Sequence, residues 1–226
     1  MLKCDFHIHS KEDSYDSWIL YSAKDLIDRA YDLGFDVISF TFHNIQFKDK
    51  AVSEYAKSKG ILLLPGVEKT IEGKHILLYN FKDSELDKIN KISDIRKYKS
   101  KTNLVVAPHP FFKLKICMGS ELNKYKDVFD GLEISEFYSW ILNLNKKAYV
   151  FSKMNNKTLL ANSDLHYIER LGNNYTFVNS KKNINDLIIS IKNNHVQLKT
   201  SPLKTRVFLG IIFKVVGNEI KRMFIK

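Results

Sequence analysis

Two cysteines in 226 residues, Cys4 and Cys117, cannot build a disulfide framework, and with no Cys-x-x-Cys spacing they do not read as a structural zinc site. Proline and glycine are sparse, with four and nine copies, and nowhere do they gather into a linker, an internal repeat or a low-complexity tract. No apolar run reaches the roughly 18 residues of a membrane span. The opening stretch, MLKCDFHIHS, lacks a signal-peptide core, so the expected compartment is the cytoplasm. Motifs for other chemistries are missing as well: no phosphate-binding P-loop, no dinucleotide glycine fingerprint and no Ser-His-Asp signature. Acid is in short supply. The net charge of +11 favours anionic partners such as phosphate esters, nucleic acid or acidic lipid, although a solvated lysine-rich surface gives the same balance.

What the chain does have is apolar content and order. At 44% hydrophobic it can bury a sizeable single core. Short β-rich runs are predicted at Lys3–His9, Asp36–Thr41, Ile61–Val67, His75–Tyr79, Leu104–Ala107, Gly131–Ile134, Thr158–Ala161 and Tyr175–Val178. Between them, Ala23–Leu33, Lys50–Lys59, Glu85–Tyr98 and Ile184–Asn193 show helical spacing, and Gly34 and Gly60 stand where helix C-caps belong. Such alternation predicts an α/β protein with a parallel sheet, open or closed. One antiparallel exception is expected, a hairpin over Val67–Tyr79 turning at Glu72-Gly73.

The histidines then stand out by position. His7, His9, His43, His109 and His166 fall at the end of a predicted strand or in the loop just past it, while His75 opens its strand and His195 reads as an ordinary surface residue. Strand C-termini of a parallel fold share one face, where sites are built. His7 and His9 are two residues apart, so a strand projects both imidazoles to one side and they can share a metal. Glu68, after Gly66-Val67, offers a carboxylate able to bridge two cations. Prolines flank His109, and Asp164-x-His166 reads as a second same-face pair. Asp16 or Asp13 adds a carboxylate after the first strand. Bound cations would offset the folding cost of so many clustered acids and imidazoles.

Read together, DFHIHS, FTFHN, PGVEKTIEGKHILLYNF, VVAPHPF, GLEISE and NSDLHYIERLG resemble the PHP (polymerase and histidinol phosphatase) family, in family order from Asp5 to Gly172. The resemblance implies a distorted (β/α)7 barrel with two or three divalent metals at the strand C-terminal face. It implies a first metal on His7, His9, Glu68 and Asp164, a second on Asp16, His43 and His166, and a third on His75 and His109 with Glu68 bridging. Glu133 and Glu136 stand where some relatives carry a further site residue. Phe42 departs from the family, which usually has Asp there; strand alternation turns it away from His43, so a neighbouring carboxylate is lost and the ligand kept.

Nitrogen and oxygen ligands suit zinc, manganese or iron without choosing among them. The expected activity is hydrolysis of a phosphate ester, a small phosphorylated metabolite, nucleotide or short oligonucleotide, by a metal-bridging hydroxide. Asp164 is the expected proton shuttle and Glu68 its catalytic companion, with Arg170 and Lys113 near the substrate phosphate. The alternative is a non-catalytic PHP module binding metal or nucleic acid in a repair or polymerase assembly. Residues 1–200 are expected to form the phosphoesterase domain. Residues 201–226 are expected to form a basic amphipathic helix that closes the fold, contacts another copy or lies peripherally on a membrane.

Overall fold

The structure is a computed structural model that describes residues 1–208 and Gly210. Strands and helices alternate through the first half as β1 (Leu2–Ile8), α1 (Ala23–Asp32), β2 (Val37–Phe40), α2 (Lys50–Ser58), β3 (Leu62–Leu63), β4 (Gly66–Ile71) and β5 (Lys74–Tyr79). The second half continues with α3 (Asp83–Leu86), α4 (Ile95–Tyr98), β6 (Leu104–Ala107), β7 (Gly131–Ser135), α5 (Lys146–Asn155), β8 (Thr158–Asn162), β9 (Tyr175–Val178), α6 (Ile184–Lys192) and β10 (Val196–Lys199).

Two mixed five-stranded sheets result, in the orders β10-β9-β1-β2-β3 and β4-β5-β6-β7-β8. The ladder does not close into one barrel among the described residues. Instead the outer strands of the second sheet reach the middle of the first through single bridges, Glu68 of β4 to His43 just past β2 and Leu165 just past β8 to Ile8 of β1. The expected parallel sheet is also only partly so. Parallel pairs are β1–β2, β2–β3, β6–β7 and β7–β8, whereas β4–β5, β5–β6, β1–β9 and β9–β10 are antiparallel.

Two predicted elements break for local reasons. The strand expected over Ile61–Val67 divides around Pro65, and its halves join different sheets. Proline has no N–H for a ladder, so the chain crosses between sheets there. The helix expected over Glu85–Tyr98 is two short helices joined by a 3-10 turn at Ile92–Asp94. Leu86, Ile89, Ile92 and Ile95 are all buried, and an apolar residue every third position suits the three-residue turn of a 3-10 helix better than 3.6. The predicted hairpin is present. Glu72 and Gly73 both take positive φ, 51° and 75°, as the primed two-residue turn requires.

Period-two alternation explains how the sheets share a core. On β5, Ile76 and Leu78 pack outward with α3 to α5, while Leu77 and Tyr79 face a core between the sheets; on β6, Val105 and Ala107 split from Leu104 and Val106 the same way. Phe6, Val37, Leu64 and Leu160 complete the inner core. Tyr79 fastens it, donating its hydroxyl to the Phe6 carbonyl at 2.8 Å across the sheets. Gly66 permits this closeness, because a Cβ there would collide with Ser39 and stand 2.9 Å from the Tyr79 ring.

Of the predicted C-terminal helix, residues 205–208 are helical and most of the rest lies outside the described residues. Among the described residues no helix is long and apolar enough to cross a membrane.

Candidate metal centre

Along β1 and the residue that follows it, Asp5, His7 and His9 alternate with the apolar Cys4, Phe6 and Ile8, and all six are buried. His43 follows β2, His109 follows β6, and Asp164 with His166 follows β8. His75 comes near the start of β5. Because β5 runs antiparallel to β6, that start lies at the same end as the β6 C-terminus, so an opening residue joins closing ones.

Glu68, inside β4 rather than at a strand end, is the hub. Its Oε2 lies 3.5 Å from His7 Nε2, 3.6 Å from His9 Nε2 and 3.3 Å from His43 Nε2. Its Oε1 lies 2.8 Å from His75 Nδ1 and 3.6 Å from His109 Nε2. Asp164 Oδ1 stands 3.3 Å from His7 Nε2 and 3.7 Å from His9 Nε2. Asp16 Oδ2 sits 3.2 Å from His166 Nε2 and 3.4 Å from His43 Nδ1. Atoms bound about 2.1 Å from one ion are separated from each other by roughly 3–3.5 Å, which is the spacing found here. Four overlapping groups can each hold an ion: His7–His9–Glu68, His9–Asp164–His166, His43–Glu68–His75 and His9–Asp13–Asp16–His43.

Residues outside the predicted ligand set fix these rings. Glu133 Oε1 meets His7 Nδ1 at 2.9 Å and accepts from Asn162, while Glu133 Oε2 accepts the His109 backbone N–H at 2.9 Å. Asp13 Oδ2 lies 2.9 Å from both His9 Nδ1 and His43 Nδ1 and accepts the His43 backbone N–H. Cys117 Sγ is 3.2 Å from His109 Nδ1. With Nδ1 held, Nε2 of His7, His9 and His109 is directed inward. His109 and Asp164 take positive φ, 32° and 48°, a strain of the kind stored at functional sites. Asp164-x-His166 is therefore not the extended same-face pair expected. His166 Nδ1 lies 2.9 Å from the Asp164 carbonyl oxygen and 3.7 Å from Asp164 Oδ1, so the two side chains still meet at one candidate ion site with His9.

The electrostatics are arranged around positive charge. Burial alone would neutralise these groups, but their neighbours outweigh it. Glu68 and Asp164 are held below the usual carboxylate range, chiefly by His7, and Asp16 by His166. His7 is held well above the usual imidazole value by Asp164, Glu133 and Glu68, and His166 rises to about 9 beside Asp16 and Asp164. His9 goes down, because burial there outweighs its bond to Asp13. His7 Nε2, His9 Nε2 and Asp16 Oδ2 are buried without a hydrogen-bond partner. Orphaned donors and acceptors at ligand spacing, in an N/O set, fit divalent cations.

The two predicted phosphate-binding cations differ. Lys113 is exposed in the loop after His109. Arg170 places Nε 2.8 Å from Glu136 Oε1 and its guanidinium over the Phe137 ring. Glu136 is buried, and desolvation lifts its carboxyl to about 8 against the pull of Arg170. His195 is exposed beyond α6, apart from the cluster. Aromatic rings rim the site: Tyr15 stacks on His43 at 5.5 Å and Trp18 on His166 at 5.7 Å, nearly parallel at 9°.

No family model matches the sequence, and no curated protein does. Solved structures do. A two-domain protein from Bacteroides vulgatus containing a predicted PHP-like metal-dependent phosphoesterase superposes over 88% of this chain, with TM-score 0.68 and 22% identity. This chain shares the fold of that predicted PHP-like protein. It spans 64% of that Bacteroides chain. A putative metal-dependent phosphoesterase from Bifidobacterium adolescentis matches 73% of this chain and 87% of its own, at TM-score 0.55 and 14% identity. PsfC from Pseudomonas syringae superposes over 100% of this chain and 99% of its own, at TM-score 0.62 and 13% identity.

Proposed function

We propose that the chain is a PHP-family phosphoesterase that hydrolyses a phosphorylated small molecule or nucleotide with two or three divalent transition metals, zinc, manganese or iron. In this reading the paired sheets are the two halves of the family's distorted (β/α)7 barrel. One observation carries the proposal: Glu68 divides its two oxygens between His7, His9 and His43 on one side and His75 and His109 on the other. A carboxylate so placed is built to bridge cations. His7, His9, Glu68 and Asp164 would hold one metal, Asp16, His43 and His166 a second, and His75 and His109 a third. Asp13, already engaged by two imidazoles, is the orienting acid, which leaves Asp16 as the ligand. Divalent ions bound there would supply Lewis acidity toward phosphate oxygens and make water a nucleophile near neutral pH.

The protein groups do the rest. Asp164, at the rim and partly exposed, passes the proton between water and the leaving oxygen. Arg170 and Lys113 offset phosphate charge, Arg170 by turning from Glu136. Glu133 and Asp13 keep the imidazoles from rotating. The test is a screen of metal-reconstituted protein against nucleotides, sugar phosphates, histidinol phosphate and short oligonucleotides. Turnover of at least one class that stops on chelation is expected, and inertness toward all of them would refute the proposal. Elemental analysis should find two to three ions per chain, and metal should raise the melting temperature because it binds only the folded cluster. A stoichiometry persistently below about one would rule out the cluster.

The ring-lined rim favours nucleotides within that range. Tyr15 and Trp18 are 65% and 51% exposed while stacked on ligand imidazoles, leaving outer faces open to a flat base. Trp18→Ala is expected to raise KM for nucleotides roughly tenfold, from a stacking contribution of about 1–3 kcal/mol, and to spare sugar phosphates. Trp18→Phe, which keeps a ring but loses the indole N–H bond to Asp16 at 3.2 Å, should behave nearly as wild type. Equal KM effects on both substrate types would assign Trp18 to positioning Asp16 instead.

A further inference from the structure

Between Phe137 and Ser163 the chain carries no acid and four lysines, Lys146, Lys147, Lys153 and Lys157. Lys157, donating to the Phe129 carbonyl at 2.8 Å just before β7, marks the chain's return to the opposite end, but the first residues of this stretch follow β7 on the strand-end face that holds the metal cluster. Its first part is a tight turn. Ser139 N–H donates to the Leu142 carbonyl at 2.9 Å, and Leu142 N–H donates to the Ser139 hydroxyl at 3.2 Å. The turn displays Trp140 and Ile141 at its tip, 88% and 80% exposed. An indole and an aliphatic chain held this far into water by a closed turn are not core residues that failed to pack. Helix α5 follows directly, burying Ala148 and Phe151 and leaving Val150 and Met154 exposed. Lys146, Lys147 and Lys153 are exposed on the same helix. The outer face of α5 thus interleaves ammonium groups with aliphatic surface.

A second observation lies at the far end of the chain. Leu203 is buried and donates its backbone N–H to the Tyr138 carbonyl at 2.8 Å, which brings the start of the C-terminal segment against the base of the Trp140 turn. From Leu203 to Lys226 the sequence LKTRVFLGIIFKVVGNEIKRMFIK has six basic residues and one acid. Two basic, apolar segments distant in sequence therefore start side by side.

We infer that the Trp140 turn, the outer face of α5 and the adjoining residues 203–208, with Lys204, Arg206 and Val207 exposed, form one docking surface for an anionic lipid bilayer. Exposed apolar surface of this extent marks an interaction site. Tryptophan at a membrane interface sits with its ring among headgroups. Lysines beside it gain from the negative surface potential of acidic lipid. Charge decides against a second copy, since a two-fold contact through this patch would set its lysines against one another. Side-chain type favours lipid over nucleic acid, since beside the Trp140 and Tyr149 rings the patch exposes Ile141, Val150 and Met154, aliphatic surface that a bilayer takes up and a base does not. Docking in this orientation brings the cluster's face beside the lipid: Glu136, just before the turn, pairs with Arg170 in the loop that carries His166.

The test is flotation of the full chain with vesicles of phosphatidylcholine, alone or mixed with phosphatidylglycerol. Binding is expected to the mixed vesicles, about tenfold weaker to the neutral ones, and reversed by high salt. The double variant Trp140→Ser, Ile141→Ser should lose roughly tenfold in binding with an unchanged melting temperature, because both side chains are mostly in water already. In a Trp18→Phe background, Trp140 is the remaining tryptophan, and its emission should shift to the blue on mixed vesicles. No flotation, or equal flotation of the double variant, would overturn the surface. So would a solution dimer, or oligonucleotide binding, that the double variant abolishes, since either assigns the patch to another partner. None of these readouts uses turnover, so they stand or fall apart from the hydrolase reading.

Discussion

Glu68→Gln is expected to strip the protein of metal and of activity together while leaving it folded. The side chain is buried, and His7, His9, His43, His75 and His109 all face its two oxygens within 3.6 Å. An amide has one carbonyl oxygen and no charge, so it cannot bridge, and its NH2 would point a donor into one half of the cluster. Removing one partner from a buried charge cluster costs about 3–5 kcal/mol, equivalent to a loss of roughly a hundredfold to several thousandfold. That loss should appear in kcat/KM and in metal content, and the rise in melting temperature on adding metal should vanish. The fold should survive, because the apolar strands on either side of Glu68 carry the core. His7→Ala and His109→Ala should act in the same direction. Full metal occupancy with turnover within tenfold of wild type would remove Glu68 from the centre of the site.

Such a site is legible in sequence only where local geometry dictates it. His7 and His9 share a side because a strand repeats every two residues, and the structure brings them together as that rule requires. The hairpin at Glu72-Gly73 was equally readable, since its turn chemistry is local. What could not be read depends on distant contacts. Glu133 meets His7 from 126 positions away; GLEISE marked it as a candidate, but no spacing rule says which ring it orients. Cys117 reaches His109 only because the intervening loop folds back, and two lone cysteines carry no signal of that. Asp13 and Asp16 could not be ranked, since a 3-10 turn rather than strand or helix places them: Asp13 caps it, and Asp16 ends it. The break at Pro65 was visible as a proline, yet the apolar run around it read as one strand. Sheet pairing followed the same limit. Alternation of strands and helices argued for parallel neighbours, while β9 and β10, separated by α6, pair antiparallel.

Phe42 gives the sharpest test of how far alternation can be trusted. It lies two residues past β2, almost fully buried, with ring centroids 4.8 Å from Phe47 and 5.8 Å from Phe40. It packs with Phe40, Phe47 and Val52 in the core under α1 and α2, the placement against helix and loop that strand alternation predicts. A cleft of about 220 Å³ runs alongside, lined by Phe42, Phe47, Asp13 and His43, so a role in holding substrate competes with a role in packing. Phe42→Asp should destabilise the protein by about 3–5 kcal/mol, the cost of deleting a buried ring, with an added penalty for a carboxylate near Asp13. Phe42→Leu separates the roles. If packing dominates, the smaller side chain leaves a partial void, costs about 1 kcal/mol and lowers the melting temperature by a few degrees while KM stays put. If the ring binds substrate in the cleft, KM rises several-fold and stability barely changes. Burial favours the first outcome, because a ring with almost no surface in water has little left to offer a ligand. A KM effect without destabilisation would show that the cleft opens to expose Phe42, and would move it from the core to the binding site.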